Sequence, residues 1–305
     1  MNRIGGLDSL RALLAWWVVI IHCYWLTGRR GDWLLRGDWP VNTFIILSGF
    51  VITRLLLIKR ESYLTFITRR WFRLFPAYAV CLVAALLVRP ITLGHCSFDL
   101  AREFAESSHY WEHLISHLTM LHGLTAPFLP WSEQALLVPA WSISVEWQLY
   151  LVAPLVVWLV LRYRWKAITV ISLLALLPMH PGIGGHLRDW SGADSLLAQK
   201  YLFFWLGTLI ALCPTGSAIG SAPSTPSIPA RLGQMSYSTY LVHYPTLAVI
   251  HALLPVHSPV ILFVIGAIPI ALLSWALYSL VELPGIQLGR RLTNGWNQSR
   301  AHDLI

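Results

Sequence analysis

The sequence predicts an all-α bundle of membrane-spanning helices, and three features of its composition carry that expectation. Hydrophobic residues fill 56% of the 305 positions and charged residues only 12%, about half the charge of an ordinary soluble domain. The mean hydropathy of +0.60 excludes a disordered chain and argues against a soluble enzyme. Sixteen Trp, eleven Tyr and eleven Phe in so apolar a chain fit rings gathered at two membrane–water boundaries. The net charge of +8, from 22 Lys and Arg against 14 Asp and Glu, then serves to orient the chain in a lipid bilayer, and no nucleic-acid partner is expected. Cys23, Cys81, Cys96 and Cys213 form no C-x-x-C pair, so neither a redox motif nor a zinc ribbon is indicated. The first apolar run lacks an A-x-A-like cleavage site and reads as a retained span.

A span needs about 20 mostly apolar residues. In chain order the candidates are residues 7–26, 41–58, 74–88, 143–161, a shorter 167–179, 195–212, 235–254 and 260–281. Residues 1–290 therefore read as one transmembrane domain, with 291–305 as a cytoplasmic tail. The widest gap holds a weakly apolar piece, 117–129, expected to re-enter or lie on the membrane. The Ser/Pro-rich stretch 214–229 reads as a flexible inner loop. With the N-terminus inside, the inner segments hold Arg3, Lys59, Arg60, Arg69, Arg70, Arg73, Arg162, Arg164, Lys166, Arg231, Arg290, Arg291 and Arg300. The outer segments hold Arg29, Arg30, Arg36, Arg89, Arg102, Arg188 and Lys200. That bias predicts that both termini are cytoplasmic.

Polar residues within such spans mark function or close packing. Arg11 and His22 lie eleven residues apart in the first span, about three turns, so both point the same way. Ser48-Gly49 at the middle of the second span is a packing signal. In the basic cluster 69–73, which ends at Pro76, Arg70 and Arg73 share one helix face. They act either as a topology signal alone or as a grip on phosphates. Glu146 is expected in the first turn of a span capped by Ser142, where it either complements the helix dipole or orients the His22 imidazole. His243 is a second histidine inside a span, and Glu282 before Pro284 reads as a helix end. His109, His113 and His117 recur every four residues with His122 nearby. No Cys or carboxylate pattern supports a zinc site there, and no metal is expected.

Taken together, these motifs resemble the acyltransferase family 3 membrane proteins, bacterial O-acyltransferases of cell-surface and secreted carbohydrates. The family's Arg-x10-His is similar to Arg11–His22, its F-F-x-L-S-G-F to 44–50, and its R-x-x-R with the following x-P-x-Y to Arg70, Arg73, Pro76 and Tyr78. Its W-S-L-S-x-E matches Trp141 to Glu146, its S-Y-S-x-Y-L-x-H matches Ser236 to His243, and its E-x-P matches Glu282 to Pro284. The resemblance implies a bundle of eight to ten spans in the bacterial inner membrane. It also implies transfer of an acyl group, usually acetyl, from cytoplasmic acetyl-CoA to a glycan hydroxyl. Acetyl-CoA would be a co-substrate, with no tightly bound cofactor. Arg11, Arg70 and Arg73 would bind the donor; His22 would act as base with Glu146 beside it. Asn42, Trp141, Ser142, Ser144, Tyr240, His243 and Glu282 would bind substrate. The family often has Asp where Asn42 stands, and a second extracytoplasmic transfer step would fall to a separate protein. The competing reading is a proton-coupled transporter or flippase built on the same buried His and Glu.

Overall fold

The structure, a computed structural model, describes residues 5–302 apart from 30–31, 33–34, 36–37, 60, 93–107, 192–194 and 214–227. Arg3, Arg30, Arg36, Arg60, Cys96, Arg102 and most of the Ser/Pro-rich stretch lie outside the described residues, which contain helices and no strand. In chain order the helices are α1 (Gly5–Leu26), α2 (Asp38–Lys59), α3 (Tyr63–Thr92), α4 (Tyr110–Leu118), α5 (His122–Thr125), α6 (Trp141–Tyr163) and α7 (Trp165–Leu176). They continue as α8 (Pro181–Ser191), α9 (Leu197–Leu212), α10 (Ile228–Gln234), α11 (Ser236–Leu253), α12 (Pro259–Leu277) and α13 (Leu283–His302).

Each expected span coincides with a helix, and among the described residues five helices are long and apolar enough to cross a membrane: α1, α2, α3, α6 and α12 with its continuation. α9 is apolar but only 16 residues long, and α7 is cut short before Pro178 and Pro181. α11 has the length, yet its first two turns carry Tyr237, Ser238, Thr239, Tyr240 and His243. Side chains such as Leu87 and Ile268 stay 74% and 70% exposed on these apolar helices. Only lipid makes such surfaces tenable.

Three local expectations are corrected. α3 starts at Tyr63, not near 74, so Arg69, Arg70 and Arg73 lie on the helix itself and Pro76 is inside it. Proline at 76 frees the Phe72 carbonyl from its helical partner. α13 packs there, since a Cβ on Gly285 would meet that oxygen at 2.9 Å. Glu146 sits in the second turn of α6, and Ser142 makes no cap because its hydroxyl bonds Tyr240 instead. Pro284 does not end the last helix: a π-helical turn, Tyr278–Glu282, carries the chain into α13.

The Ser-Gly packing signal has a visible counterpart. A Cβ on Gly49 would lie 2.1 Å from the Phe204 carbonyl oxygen, and one on Gly207 would lie 2.0 Å from that of Ile46. Glycine on both helices lets the α2 and α9 backbones touch, and Thr53 donates to Thr208 across the seam at 3.0 Å. With α2 so held, α1, α3, α6 and α11 surround a polar interior.

Candidate active site

Basic residues from four helices converge at one end of the bundle. Arg11 (α1), Lys59 (α2), Arg69, Arg70 and Arg73 (α3) and Arg290 (α13) line a cavity of about 340 Å³ with Asp8, Glu61 and Glu282. Six cations face three carboxylates there, and Glu61 is already engaged by Arg69 and, at 3.7 Å, by Lys59. Arg69 is further tied to α13 through Thr293 and Asn294, so it braces the wall. Arg70 stacks 5.9 Å from the rings of both Phe66 and Tyr150, and its Nε has no hydrogen-bond partner. Cations gathered in a recess of this kind suit a polyanion, and arginine forks suit phosphate in particular.

Arg11 and Arg73 also line a second, narrower chamber deeper in the bundle, with Ser48, Ser142, Glu146, Ser236, Tyr237 and Tyr240. Two arginines therefore belong to both spaces, and the cationic path runs from the cavity into the interior. Glu146 accepts a hydrogen bond from the Tyr150 hydroxyl one turn along α6. Glu282, buried on the far wall, accepts from Ser238 at 2.7 Å. Ser142 donates to the Tyr240 hydroxyl at 2.7 Å, and Tyr240 donates to the Pro139 carbonyl at 3.0 Å.

Two histidines lie behind Tyr240, outside the lining of the chamber. The Tyr240 and His243 ring centres are 5.6 Å apart, and His243 Nε2 lies 3.2 Å from His22 Nδ1. Trp25 and Tyr244 enclose the His22 ring at 5.2 and 5.3 Å. His22 stays 8% exposed, and no described residue bonds its Nε2.

Residues 4–214 match the family described as "Acyltransferase domain". The chain belongs to this acyltransferase family. "Putative O-acetyltransferase SACOL0978" of Staphylococcus aureus (strain COL) is 28% identical over 231 residues, covering 67% of this chain and 35% of the relative. "O-acetyltransferase OatA" of S. aureus (strain NCTC 8325 / PS 47) is 27% identical over 228 residues, covering 66% of this chain and 35% of the relative. The chain thus spans about a third of the length of the relatives it matches. No solved structure matches it.

In this acyltransferase-family chain the structure gathers Arg11, Arg73, Ser142, Glu146 and Tyr240 around one chamber, with Arg70 and Glu282 in the adjoining cavity. It does not join His22 to Glu146, whose hydrogen bond comes from Tyr150. Ser144 is buried and accepts from the Gly123 backbone and Gln148, which makes it a latch between α5 and α6. Asn42 faces a separate cavity of about 190 Å³ with Asp38, Gln199 and Lys200, its Oδ1 buried without a partner. Trp141 carries the Lys200 ammonium 5.5 Å above its ring. Of the histidine ladder, His109 is exposed beside Glu112, while His117 bonds the Tyr78 hydroxyl at 2.6 Å. Among the described residues no three His, Cys, Asp or Glu are grouped to hold a metal. Sequence reasoning missed Tyr150 and Lys200. The first was signalled by its i,i+4 spacing from Glu146, and the second by being a cation at the start of an apolar run.

Proposed function

We propose that this chain is a membrane O-acyltransferase that takes an acyl group, acetyl in the simplest case, from acyl-CoA at its basic, cytoplasmic end and places it on a glycan hydroxyl. The observation that carries the reading is the sharing of Arg11 and Arg73 between the outer basic cavity and the inner chamber. A polyphosphate held in the first leaves its pantetheine arm a route into the second, towards Tyr240 and the histidines. The acyltransferase family and the names of the relatives support the reaction class. The positive-inside bias supports the inner membrane and the inward placing of the basic end.

In the reaction, the acceptor hydroxyl gives its proton to His22 Nε2 as its oxygen bonds the thioester carbonyl carbon. The carbon–sulfur bond then breaks, and the imidazolium returns the proton to the departing thiolate. Glu146, hydrogen-bonded to Tyr150 and facing Arg11 and Arg73, balances the donor-side arginines. Its role beside His22 passes to other groups. The test is acyl transfer by purified protein with His22→Gln beside wild type: CoA binding persists and transfer is lost. Wild-type transfer by the variant would remove His22 from the mechanism.

A further inference from the structure

His22 can act as a base only if the nitrogen facing the acceptor is the one without a hydrogen, and an isolated imidazole does not fix which nitrogen that is. The surroundings of the two histidines fix it. His243 Nδ1 lies 2.7 Å from the Tyr240 carbonyl oxygen. A carbonyl only accepts, so His243 Nδ1 carries the hydrogen and its Nε2 presents a lone pair. That lone pair points at His22 Nδ1 from 3.2 Å, and the Val18 carbonyl oxygen lies 3.0 Å from the same nitrogen. Two acceptors around one nitrogen require a donor between them. His22 Nδ1 therefore carries the hydrogen, shared between Val18 and His243, and Nε2 is left bare.

We propose that His243 is a positioning residue that holds His22 in the tautomer with Nε2 free, a neutral imidazole doing what a carboxylate does in a Ser-His-Asp triad. This rests on the base assignment made above for His22. When Nε2 takes the acceptor's proton, the Nδ1–H of the resulting imidazolium keeps both of its acceptors, so the charge forms without rearrangement. The Tyr240 carbonyl fixes His243, and the Tyr240 hydroxyl reaches into the chamber beside Ser142. One residue thus ties the histidine pair to the donor path. The occupancy of both Nδ1 atoms also makes His243 unsuited to replace His22 as base, because its only lone pair is turned towards His22 and not towards a substrate.

The experiment pairs spectroscopy with kinetics on the full chain in lipid nanodiscs. In 15N-histidine-labelled protein, the His22 signals, assigned by their loss in His22→Gln, should show a protonated Nδ1 and a bare Nε2. An Nε2-protonated His22 in wild type would overturn the proposal without any variant having to fold. In His243→Leu, kcat should fall by about 10- to 100-fold with the KM for acetyl-CoA unchanged. Losing the tautomer in a charged triad costs about 10⁴-fold, and here the partner is neutral and Val18 remains. His243→Gln, whose side-chain oxygen can accept the same hydrogen, should recover part of that loss. Wild-type kcat in His243→Leu would overturn the positioning role. Full activity in His22→Gln would instead overturn the base assignment, so the two failures are distinguishable.

Discussion

Among the described residues two pairs of buried histidines meet ring to ring, and they are built differently. His117 and His122 stack face to face, 4.1 Å between centres and 5° from parallel, against the Tyr78 ring. Their Nε2 atoms meet the Ser132 and Ala140 carbonyls at 3.1 and 2.9 Å, so both carry the hydrogen there. Tyr78 donates to His117 Nδ1, and both rings are fully buried. His22 and His243 meet edge to edge, tilted by 57°, with the hydrogens on Nδ1 and His22 Nε2 unclaimed. In the first pair two carbonyls and a phenol take three of the four nitrogens, and the fourth, His122 Nδ1, is bare but sealed in the interior. In the second pair the bare nitrogen, His22 Nε2, belongs to a residue that keeps 8% of its surface exposed. A buried histidine is equipped for chemistry when its bare nitrogen is also within reach of a substrate.

The largest effect expected from this contrast is in His22→Gln. Transfer should fall by about 10²-fold or more, the worth of a positioned base, while CoA binding stays intact; equal loss of both would make His22 structural, like its counterparts. Next comes the Arg70→Lys, Arg73→Lys double variant, which keeps both charges but loses the planar forks. Acyl-CoA affinity measured by titration should weaken about tenfold or more, and unchanged affinity and activity would return the arginines to a topology role. Tyr78→Phe, in the structural pair, removes the donor to His117 Nδ1 and leaves a buried acceptor unmet. Thermal or denaturant melting should register a loss of about 1–3 kcal/mol with the kcat of the folded fraction unaltered.

The smallest effect concerns Glu133, in the connecting segment next to that structural pair, buried with Oε2 unpartnered. Burial raises its carboxyl above the usual range, so the folded chain holds this proton to higher pH than the unfolded chain does. Its stabilising share is present below the ordinary carboxylate pKa and is lost as pH rises through the raised folded value. Glu133→Gln should therefore stabilise the protein at neutral pH, on the order of 1 kcal/mol, and the gain should vanish on acidification. A constant difference between variant and wild type at pH 4 and pH 8 would contradict it.

What was legible in the sequence was whatever depends on neighbours along a helix. The apolar runs found the five helices long and apolar enough to span, though not the polar α13, Arg11 and His22 did lie on one helix, and the Ser48-Gly49 step marked the α2–α9 contact. What was not legible depends on distant pairings. His22 and His243 are 221 residues apart, and nothing in either span reveals which ring nitrogen faces which. Glu146 was paired with His22 on depth alone, whereas Tyr150, one turn along the same helix, takes its oxygen. The expected span at 74 missed the first turns of α3 because arginines interrupt the apolar run, yet their long stems let the same helix carry them at its end. Pro284 was read as a stop, but proline is tolerated in a membrane helix where neighbouring groups satisfy the freed backbone.

The central claim is that donor and acceptor meet along one path that begins at the basic cavity and ends at His22. Sealed proteoliposomes with acetyl-labelled acetyl-CoA confined to the side of the basic end, and a non-permeant oligosaccharide mixture confined to the other, test it most directly. The path predicts acetyl ester on oligosaccharides across the membrane from the donor, and none when the donor is supplied only on the oligosaccharide side. Ester formed only when donor and acceptor share a side would contradict it.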